Sequence, residues 1–257
     1  MSEVIVIGGR GTLGALVCRE LAARGHRATA IGRGDDLDAA RGDLMVNCAG
    51  ASIAMGFGHG WRGYRAVDVP IGLRAIAAAR RCDARLVYVG AHHPPALRGC
   101  AYIDAHERVA AAMAELGAAG CVVRATGFFA AFAALLPIAR RGWLADAGSG
   151  RTRTNPICER DLARLVADAA LGDARELSCG GPEILTRGEL FALVAAAAAR
   201  RVRTVRAPVW LARIGGALLR LAHPRIGQFV QFAAGLARHD SVAPALGTTR
   251  LADYLAT

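Results

Sequence analysis

The sequence contains no lysine among its 257 residues. All 32 basic residues are arginines, and with 21 acidic residues they give a formal net charge of +11. The chain therefore has no lysine ammonium to place in a catalytic site. A basic chain can bind nucleic acid, but these arginines are scattered without a basic tract, and aromatic residues make up only 5% of the chain. We therefore expect anionic small ligands and no nucleic-acid partner.

The sequence also lacks any Cys-x-x-Cys pair, a spacing typical of metal sites and redox motifs. Its seven cysteines are odd in number and widely spread, at positions 18, 48, 82, 100, 121, 158 and 179. We interpret them as reduced thiols, with Cys48 an inert core residue, and expect a cytoplasmic protein without a metal.

Long apolar runs are absent as well. The longest, residues 128–139, is about a dozen residues long and contains Pro137, well short of the ~20 residues that span a bilayer. Residues 1–20 have no basic start followed by an apolar stretch and a cleavage site. We expect neither secretion nor a transmembrane segment.

The most informative feature that is present lies near the start of the chain. A hydrophobic content of 54% is enough to bury a full core. The apolar stretch Val4–Ile7 leads directly into glycines at positions 8, 11 and 14, and apolar residues at helical spacing continue to Leu21. This order of strand, glycine turn and helix is the sequence form of a dinucleotide-binding turn.

The three glycines permit a tight turn, close approach of the backbone to a diphosphate, and close packing of helix on strand. The free N–H groups of the first helical turn would face the phosphates, with about half a positive charge from the helix dipole. We therefore predict that Gly8, Gly11, Thr12, Leu13 and Gly14 bind a nucleotide cofactor.

Strands and helices alternate after this turn. Predicted strands lie at 28–31, 44–47, 86–89, 121–123 and 176–178, and predicted helices at 69–81, 102–116 and 161–171. Such alternation predicts an α/β fold with a doubly wound parallel sheet of the Rossmann type. Because only a short segment separates the strands at 28–31 and 44–47, we expect one edge of the sheet to be trimmed. The glycine-rich stretch 56–63 is predicted to be a loop.

Beyond residue 125 the pattern becomes mostly helical. Phe128–Leu136 has an apolar stripe at helical spacing, residues 186–189 form a capping box that opens a helix to about residue 199, and further helices are predicted at 209–221 and 226–236. We expect residues 1–125 to form a dinucleotide-binding core, and residues 126–257 to complete the sheet and to add a small helical region that covers the substrate. The apolar stripe fits either interior packing or a wall of the substrate site.

Several segments together resemble one superfamily of nucleotide-binding proteins. They are residues 4–14, 43–50 and 86–89, Tyr102 at the start of a helix, and residues 122–128, 156–163 and 180–186. On these segments the chain resembles the short-chain dehydrogenase/reductase superfamily over nearly its whole length. The resemblance is to the atypical, NmrA-like branch of NAD(P)-binding proteins.

The resemblance implies where the cofactor would lie. It would cross the carboxyl ends of the strands, over residues 8–14, with Ala49 and Gly50 along its path. The nicotinamide would lie near residues 90–92, Tyr102 and residues 124–128, a segment that includes Thr126.

Two arginines bear on the choice of nucleotide. Arg33 follows the second strand, where these folds read the adenosine ribose, and an arginine there suits a 2′-phosphate through paired, charge-assisted hydrogen bonds. Arg10, inside the glycine turn, could close on the same phosphate. We therefore expect NADP as the cofactor, while Asp35 and Asp36 keep NAD possible.

The catalytic residues depart from the pattern of the superfamily. Its usual site pairs a tyrosine with a lysine four residues later, and here the corresponding pair is Tyr102 and His106. Residues four apart on a helix share a face, so the geometry is retained. A neutral histidine would lower the tyrosine pKa less than a lysine would. We predict Tyr102 as the proton donor with His106 assisting; a packed core pair is the alternative.

The serine of the usual site has no counterpart either. The predicted strand at 86–89 continues into Gly90 and Ala91, whose side chains cannot polarise a carbonyl. His92 or His93 could donate to a substrate oxygen from this strand end or relay a proton. Alternatively, the two histidines only turn the chain before two prolines.

Three functions follow from these predictions. The first is an NADP(H)-dependent oxidoreductase acting on a small, largely apolar carbonyl, quinone or enone substrate. The second is a sensor or regulatory protein that binds the cofactor without turnover, which the altered catalytic pair favours. The third is a redox-neutral isomerase, dehydratase or cyclase. Peripheral membrane contact through the arginine-bearing apolar helix at 209–221 is weighed as well, but it is not expected.

Overall fold

The structure is a computed structural model that describes residues 1–51 and 60–256. The loop predicted at 56–63 begins in the segment outside the described residues.

The described chain contains short, buried strands that alternate with helices. In chain order the strands are β1 (Glu3–Ile7), β2 (Arg27–Ile31), β3 (Leu44–Asn47), β4 (Arg85–Ala91), β5 (Gly120–Ala125), β6 (Trp143–Ala147), β7 (Arg153–Thr154), β8 (Glu176–Cys179), β9 (Leu185–Thr186) and β10 (Arg203–Ala207). The helices are α1 (Thr12–Ala23), α2 (Tyr64–Cys82), α3 (Ala101–Met113), α4 (Phe129–Ala133), α5 (Leu136–Ala139), α6 (Glu159–Leu171), α7 (Arg187–Ala197), α8 (Val209–Ala222), α9 (Pro224–Leu236) and α10 (Leu251–Leu255).

Six strands form one sheet in the order β2-β1-β3-β4-β5-β8. Every pairing in this sheet is parallel. The Rossmann-type, doubly wound sheet predicted from the sequence is therefore confirmed. In the part of the chain that the structure describes, β2 is an edge strand, and no further strand pairs with its outer side. The trimmed edge is therefore confirmed as well.

Alternating side chains of each strand divide the interior into two layers. On β1, Val4 and Val6 face a core built with α1 and α6, whereas Ile5 and Ile7 face a core built with α2 and α3. This is the period of two that a sheet covered on both faces requires. The carboxyl ends of the central strands, where ligands bind in such folds, therefore lie between the two helical layers.

Helix α2 begins at Tyr64, five residues before the predicted start at Val69. Proline is favoured in the first turn of a helix and is unfavourable further inside, because it has no N–H to donate. In the structure Pro70 lies inside the helix. The added turn is stabilised by burial of the Tyr64 ring, which is 0% exposed.

Strands β6 and β10 form a separate, two-stranded parallel sheet. The sequence pattern does not predict this pairing. The two strands are separated by about sixty residues of chain, and β10 reads Arg-Thr-Val-Arg-Ala with its first four residues exposed. Neither the spacing of apolar residues nor the composition of β10 predicts a strand here. The pairing is therefore a product of the tertiary fold.

The apolar stripe Phe128–Leu136 is mainly interior packing. Phe129 is 1% exposed and packs in a separate core with α7 and α10, and Phe132 and Leu135 pack against the same core. Interior packing is therefore one role of the stripe, and a contribution to the substrate wall stays a prediction. A different element, α9, contacts Tyr102 through Phe232, and Leu236 of α9 packs against the same buried cluster as Tyr102.

Candidate functional site

The glycine turn between β1 and α1 is held in a conformation that side chains would disrupt. Gly8 has a φ of +77°, a region that favours glycine. A Cβ on Gly14 would lie 2.2 Å from the carbonyl oxygen of Gly8, and a Cβ on Gly9 would lie 2.7 Å from Ala30. The glycines therefore allow α1 to start directly against the end of β1.

The N-terminus of α1 has donors without acceptors. Its N-cap is Gly11, which has no side chain to bond the first turn, and that turn contains no acidic residue. Among the described residues, the N–H groups of Thr12, Leu13 and Gly14 donate to no backbone acceptor. Unpaired N–H groups at a helix N-terminus favour an anion. The turn therefore fits a diphosphate on the chemistry of its own donors.

The position of the turn in the sheet agrees with this chemistry. The chain passes from β1 to β2 on one side and then to β3 on the other, so the turn lies where the strand order reverses. Ligands of open α/β sheets bind at such a switch point. Ala49 and Gly50 follow β3, and a Cβ on Gly8 would lie 2.8 Å from the Ala49 nitrogen. The segment predicted to line the cofactor path therefore abuts the glycine turn.

Arg10 and Asp35 form an ion pair at the end of β2, with 2.8 Å between Nη2 and Oδ2. The same Asp35 oxygen accepts a hydrogen bond from the N–H of Gly32 at 2.8 Å. Arg33 is exposed nearby. The two arginines predicted to select the nucleotide thus flank the same strand end, and one of them is neutralised by an acidic residue.

Asp68 connects the glycine-turn region with Tyr102. This buried carboxylate accepts a hydrogen bond from the Ala51 N–H at 2.5 Å and lies beneath Gly50. Burial raises the pKa of Asp68 to about 6, although the Ala51 hydrogen bond opposes the shift. Asp68 in turn raises the pKa of Tyr102, so the two side chains share one electrostatic environment.

Tyr102 lies in an aromatic setting at the start of α3. Its ring meets the rings of Tyr64 at 4.9 Å and Phe232 at 4.7 Å between centroids. Burial raises the pKa of Tyr102 well above its ordinary value, and the Asp68 charge adds to the rise. At neutral pH, Tyr102 is therefore a protonated phenol. The hydroxyl of the neighbouring Tyr64 is buried and has no hydrogen-bond partner among the described residues.

His106 shares a face of α3 with Tyr102, as the spacing predicts, and the two rings meet edge-on with centroids 4.7 Å apart. Its Nδ1, however, lies 2.6 Å from the hydroxyl of Tyr88 on β4. Burial lowers the pKa of His106 to about 4, so the imidazole is neutral at pH 7. His106 therefore does not provide the positive charge that a lysine would bring to this position.

The two histidines after β4 point to different partners. The backbone N–H of His92 donates to the Ala125 carbonyl. Burial is the largest cause of the lowered pKa of His92. His93 contacts Glu107 at 3.3 Å through Nε2 and the Pro94 carbonyl at 3.0 Å through Nδ1. Neither ring has a contact with Tyr102 among those that the structure gives.

Two further predicted residues have roles within the fold. The Thr126 hydroxyl donates to the Asn155 carbonyl at 2.6 Å, and its N–H donates to Cys179. A cofactor contact at Thr126 would have to use the lone pairs of its hydroxyl. Burial raises the pKa of the Cys48 thiol to about 12, which makes this cysteine unreactive at neutral pH.

Three residues of the candidate site were not predicted from the sequence: Asp68, Tyr64 and Phe232. Asp68 carried a weak signal, since an acidic residue stands immediately before an apolar helical stretch and two residues before a proline. Phe232 carried none, because its helix reaches Tyr102 from the far end of the chain.

The fold resembles several solved structures along nearly its whole length. The human epimerase family protein SDR39U1 (isoform 2), crystallised with NADPH, is 20% identical, with 99% of this chain and 98% of that one covered and a TM-score of 0.74. A nucleoside-diphosphate-sugar epimerase from Staphylococcus aureus is 15% identical, with 99% and 100% covered and a TM-score of 0.75. The NADPH-dependent quinone oxidoreductase QOR2 from Escherichia coli, crystallised with NADPH, is 15% identical, with 98% of each chain covered and a TM-score of 0.69.

No family model and no curated protein matches the sequence. The structural likeness shows the fold, which is the Rossmann-type fold of NAD(P)-binding epimerases and reductases. The fold agrees with the resemblance drawn from the sequence, and membership of the short-chain dehydrogenase/reductase superfamily stays a prediction. The NmrA-like branch stays a prediction.

Two kinds of feature are absent from residues 1–51 and 60–256. No helix there has the length and apolar character needed to cross a membrane. No group of three or more histidine, cysteine, aspartate or glutamate side chains in these residues is placed to hold a metal ion.

Proposed function

We propose that the protein binds NADP(H) across the carboxyl ends of its sheet, with the diphosphate on the N-terminus of α1. The observation that carries this proposal is the set of unpaired N–H groups at Thr12, Leu13 and Gly14, at the switch point of a parallel sheet. NADPH or NADP is present in the crystal structures of three similar folds, which supports the choice of ligand.

Arg10 and Arg33 support NADP(H) over NAD(H). Arg33 follows β2, and the side chain of Arg10 reaches the same strand end from the glycine turn, where the adenosine ribose of a bound dinucleotide would be read. The ion pair between Arg10 and Asp35 has to exchange for a contact with the 2′-phosphate when NADP(H) binds. Asp35 therefore opposes the preference, and Arg33 supports it without a competing ion pair among the described residues.

We propose further that the protein is a reductase. A bound NADPH would supply the hydride. Tyr102 supplies the proton, because a phenol with a raised pKa stays protonated at neutral pH and donates to a developing oxyanion. Oxidation of an alcohol by NADP would need Tyr102 as a tyrosinate, and no cation in the described residues acts on Tyr102 to stabilise that charge. His106 holds the ring of Tyr102 on one side, while Tyr88 keeps His106 in place.

The neighbours of Tyr102 favour an apolar substrate. Its ring packs against Phe232 and Tyr64, and Leu236 and Cys100 belong to the same apolar cluster. A small apolar carbonyl, quinone or enone fits such surroundings. The described side chains around Tyr102 include no serine to polarise the substrate oxygen, so Tyr102 is its one hydrogen-bond donor in this proposal.

A sensor that binds the cofactor without turnover is the second candidate. It is favoured by the hydrogen bond between His106 and Tyr88, which takes the imidazole away from the tyrosine hydroxyl that it would have to assist. A redox-neutral isomerase, dehydratase or cyclase using Asp68 and Tyr102 as acid and base is the third.

One experiment separates the three functions. The protein is titrated with NADPH by calorimetry and then incubated with NADPH and a panel of quinones, enones and apolar aldehydes while nicotinamide absorbance is followed. A reductase binds NADPH and oxidises it with at least one substrate. A sensor binds NADPH and oxidises none. A redox-neutral enzyme converts a substrate, detected by mass spectrometry, without change in nicotinamide absorbance.

The compartment and the organisation of the chain complete the proposal. The seven cysteines are free, which agrees with a reducing cytoplasm.

We assign binding of the dinucleotide to residues 1–125. The region 126–257, chiefly α9, is assigned to covering the substrate.

A further inference from the structure

The outer face of α8 is apolar and exposed to solvent. Its four outermost side chains are 59%, 52%, 62% and 80% exposed, in the order Trp210, Ile214, Leu218 and Leu221. At 100° per residue they fall within an arc of about 80° on the helix. The described residues, 1–51 and 60–256, leave this face uncovered. A contiguous apolar face of this kind marks an interaction surface, whereas single exposed apolar residues do not.

The opposite face of α8 is built from small residues and packs on α9. A Cβ on Gly216 would lie 3.0 Å from Gln231, and a Cβ on Gly227 of α9 would lie 2.3 Å from the backbone nitrogen of Arg220. The two backbones are therefore in close contact. This arrangement buries Gly216 of α8 and leaves the large apolar side chains of the helix on the outside, the reverse of a solvated surface helix.

The charge around α8 is of one sign. Residues 190–239 contain eight arginines and no acidic residue. Arg213 and Arg220 lie along one border of the apolar face, at about 60–80° from Trp210 on the helix. Apolar and aromatic residues on one face, with arginines beside them, are the pattern of helices that lie in the interface of an anionic membrane.

The same observations argue against a second copy of the chain as the occupant. A twofold contact through this face would bring Arg213 and Arg220 of each copy towards those of the other. A helix of 14 residues is only about 21 Å long, so a contact through this face alone buries less than the ~800 Å² per partner that stable interfaces bury.

We propose that α8 docks the protein on an anionic lipid membrane, a contact that was not expected from the sequence alone. The helix lies parallel to the surface, with Trp210, Ile214, Leu218 and Leu221 at the boundary of the acyl chains and with Arg213 and Arg220 on the phosphates of the headgroups. The proposal does not depend on nucleotide binding or on turnover.

The test is sedimentation of the full chain with vesicles of phosphatidylcholine and phosphatidylserine, with vesicles of phosphatidylcholine alone as reference. Ile214→Asp is compared with Ile184→Asp, because Ile184 lies outside α8 and is similarly exposed, at 53%. Arg213→Glu is compared with Arg19→Glu, an exposed arginine on α1. Thermal melting of each variant verifies that it is folded, and light scattering reports the oligomeric state.

We expect the protein to sediment with the anionic vesicles and less with the neutral ones. Ile214→Asp weakens partitioning about tenfold or more, and Arg213→Glu about fivefold, whereas the two control variants bind like the parent. Added salt weakens the binding. The proposal is overturned if the protein does not bind the vesicles, if it binds neutral vesicles equally well, or if Ile214→Asp binds unchanged. A dimer that Ile214→Asp dissociates, without lipid binding, also overturns it.

Discussion

The Nδ1 of His106 is 2.6 Å from the hydroxyl of Tyr88, so the histidine that stands in the place of the superfamily's lysine is bonded to a core strand. Its ring nevertheless contacts Tyr102 edge-on. His106 therefore acts on Tyr102 as a packing and positioning residue. The consequence is a candidate site whose tyrosine is a neutral donor.

Replacement of Tyr102 by phenylalanine tests its role as proton donor. Tyr102→Phe keeps the ring contacts with Phe232 and Tyr64 but removes the hydroxyl. We expect turnover to fall about a hundredfold or more, with NADPH affinity nearly unchanged. The matched control is Tyr254→Phe, because Tyr254 packs on Phe129 in the separate core. Equal turnover of Tyr102→Phe and the parent would remove Tyr102 from the chemistry.

Asp68 is expected to make stability fall as the pH rises. Its pKa is about 6 in the folded protein against 3.8 unfolded, so the folded state holds its proton more tightly. The stabilisation is complete below about pH 4 and is lost as the pH rises through 6, a loss on the order of 3 kcal/mol. Urea unfolding of Asp68→Asn should show greater stability than the parent at pH 7 and little difference at pH 4. A difference of the same size at both values would contradict the assignment.

His106 is expected to act in the opposite direction over the same range. Its pKa is about 4 in the folded protein against 6.5 unfolded, so its contribution is complete above about pH 6.5 and is lost as the pH falls through 4. In urea unfolding, His106→Gln should therefore lose less stability than the parent between pH 7 and pH 4. Parallel pH profiles for the two proteins would show that His106 is not buried in its neutral form.

The nucleotide preference should depend on Arg33 and Asp35 in opposite ways. Arg33→Asp removes a cation from the end of β2 and should weaken NADPH binding about tenfold or more while NADH binding changes little. Asp35→Ala frees Arg10 from its ion pair and should strengthen NADPH binding relative to NADH. Calorimetric titration with both nucleotides measures the ratio. An unchanged ratio in both variants would reject the assignment of this strand end to the 2′-phosphate.

Elements that depend on local sequence were predicted well. The order of β1, the glycine turn and α1 follows from neighbouring residues, and so does the capping box in which Thr186 and Glu189 bond each other's backbone at the start of α7. The spacing of Tyr102 and His106 correctly placed both rings on one face of α3.

Features that depend on distant contacts could not be predicted in this way. The partner of His106 is Tyr88, on a strand, and the ring over Tyr102 is Phe232, more than a hundred residues later. The shifted pKa of Asp68 arises from its burial and from the Ala51 N–H, neither of which has a local signature. The exposed apolar face of α8 was visible as a pattern, but its orientation required the packing of Gly216 on α9.

The most direct test of the account is calorimetric titration of the parent protein and two glycine variants with NADPH. A Cβ at Gly14 would lie 2.2 Å from the Gly8 carbonyl oxygen, whereas a Cβ at Gly99 meets nothing within 4 Å. We predict that the parent and Gly99→Ala bind NADPH alike, and that Gly14→Ala, shown by thermal melting to be folded, binds it at least about tenfold more weakly. A folded parent protein that takes up neither NADPH nor NADP, or a Gly14→Ala variant that binds as tightly as the parent, would contradict the central claim.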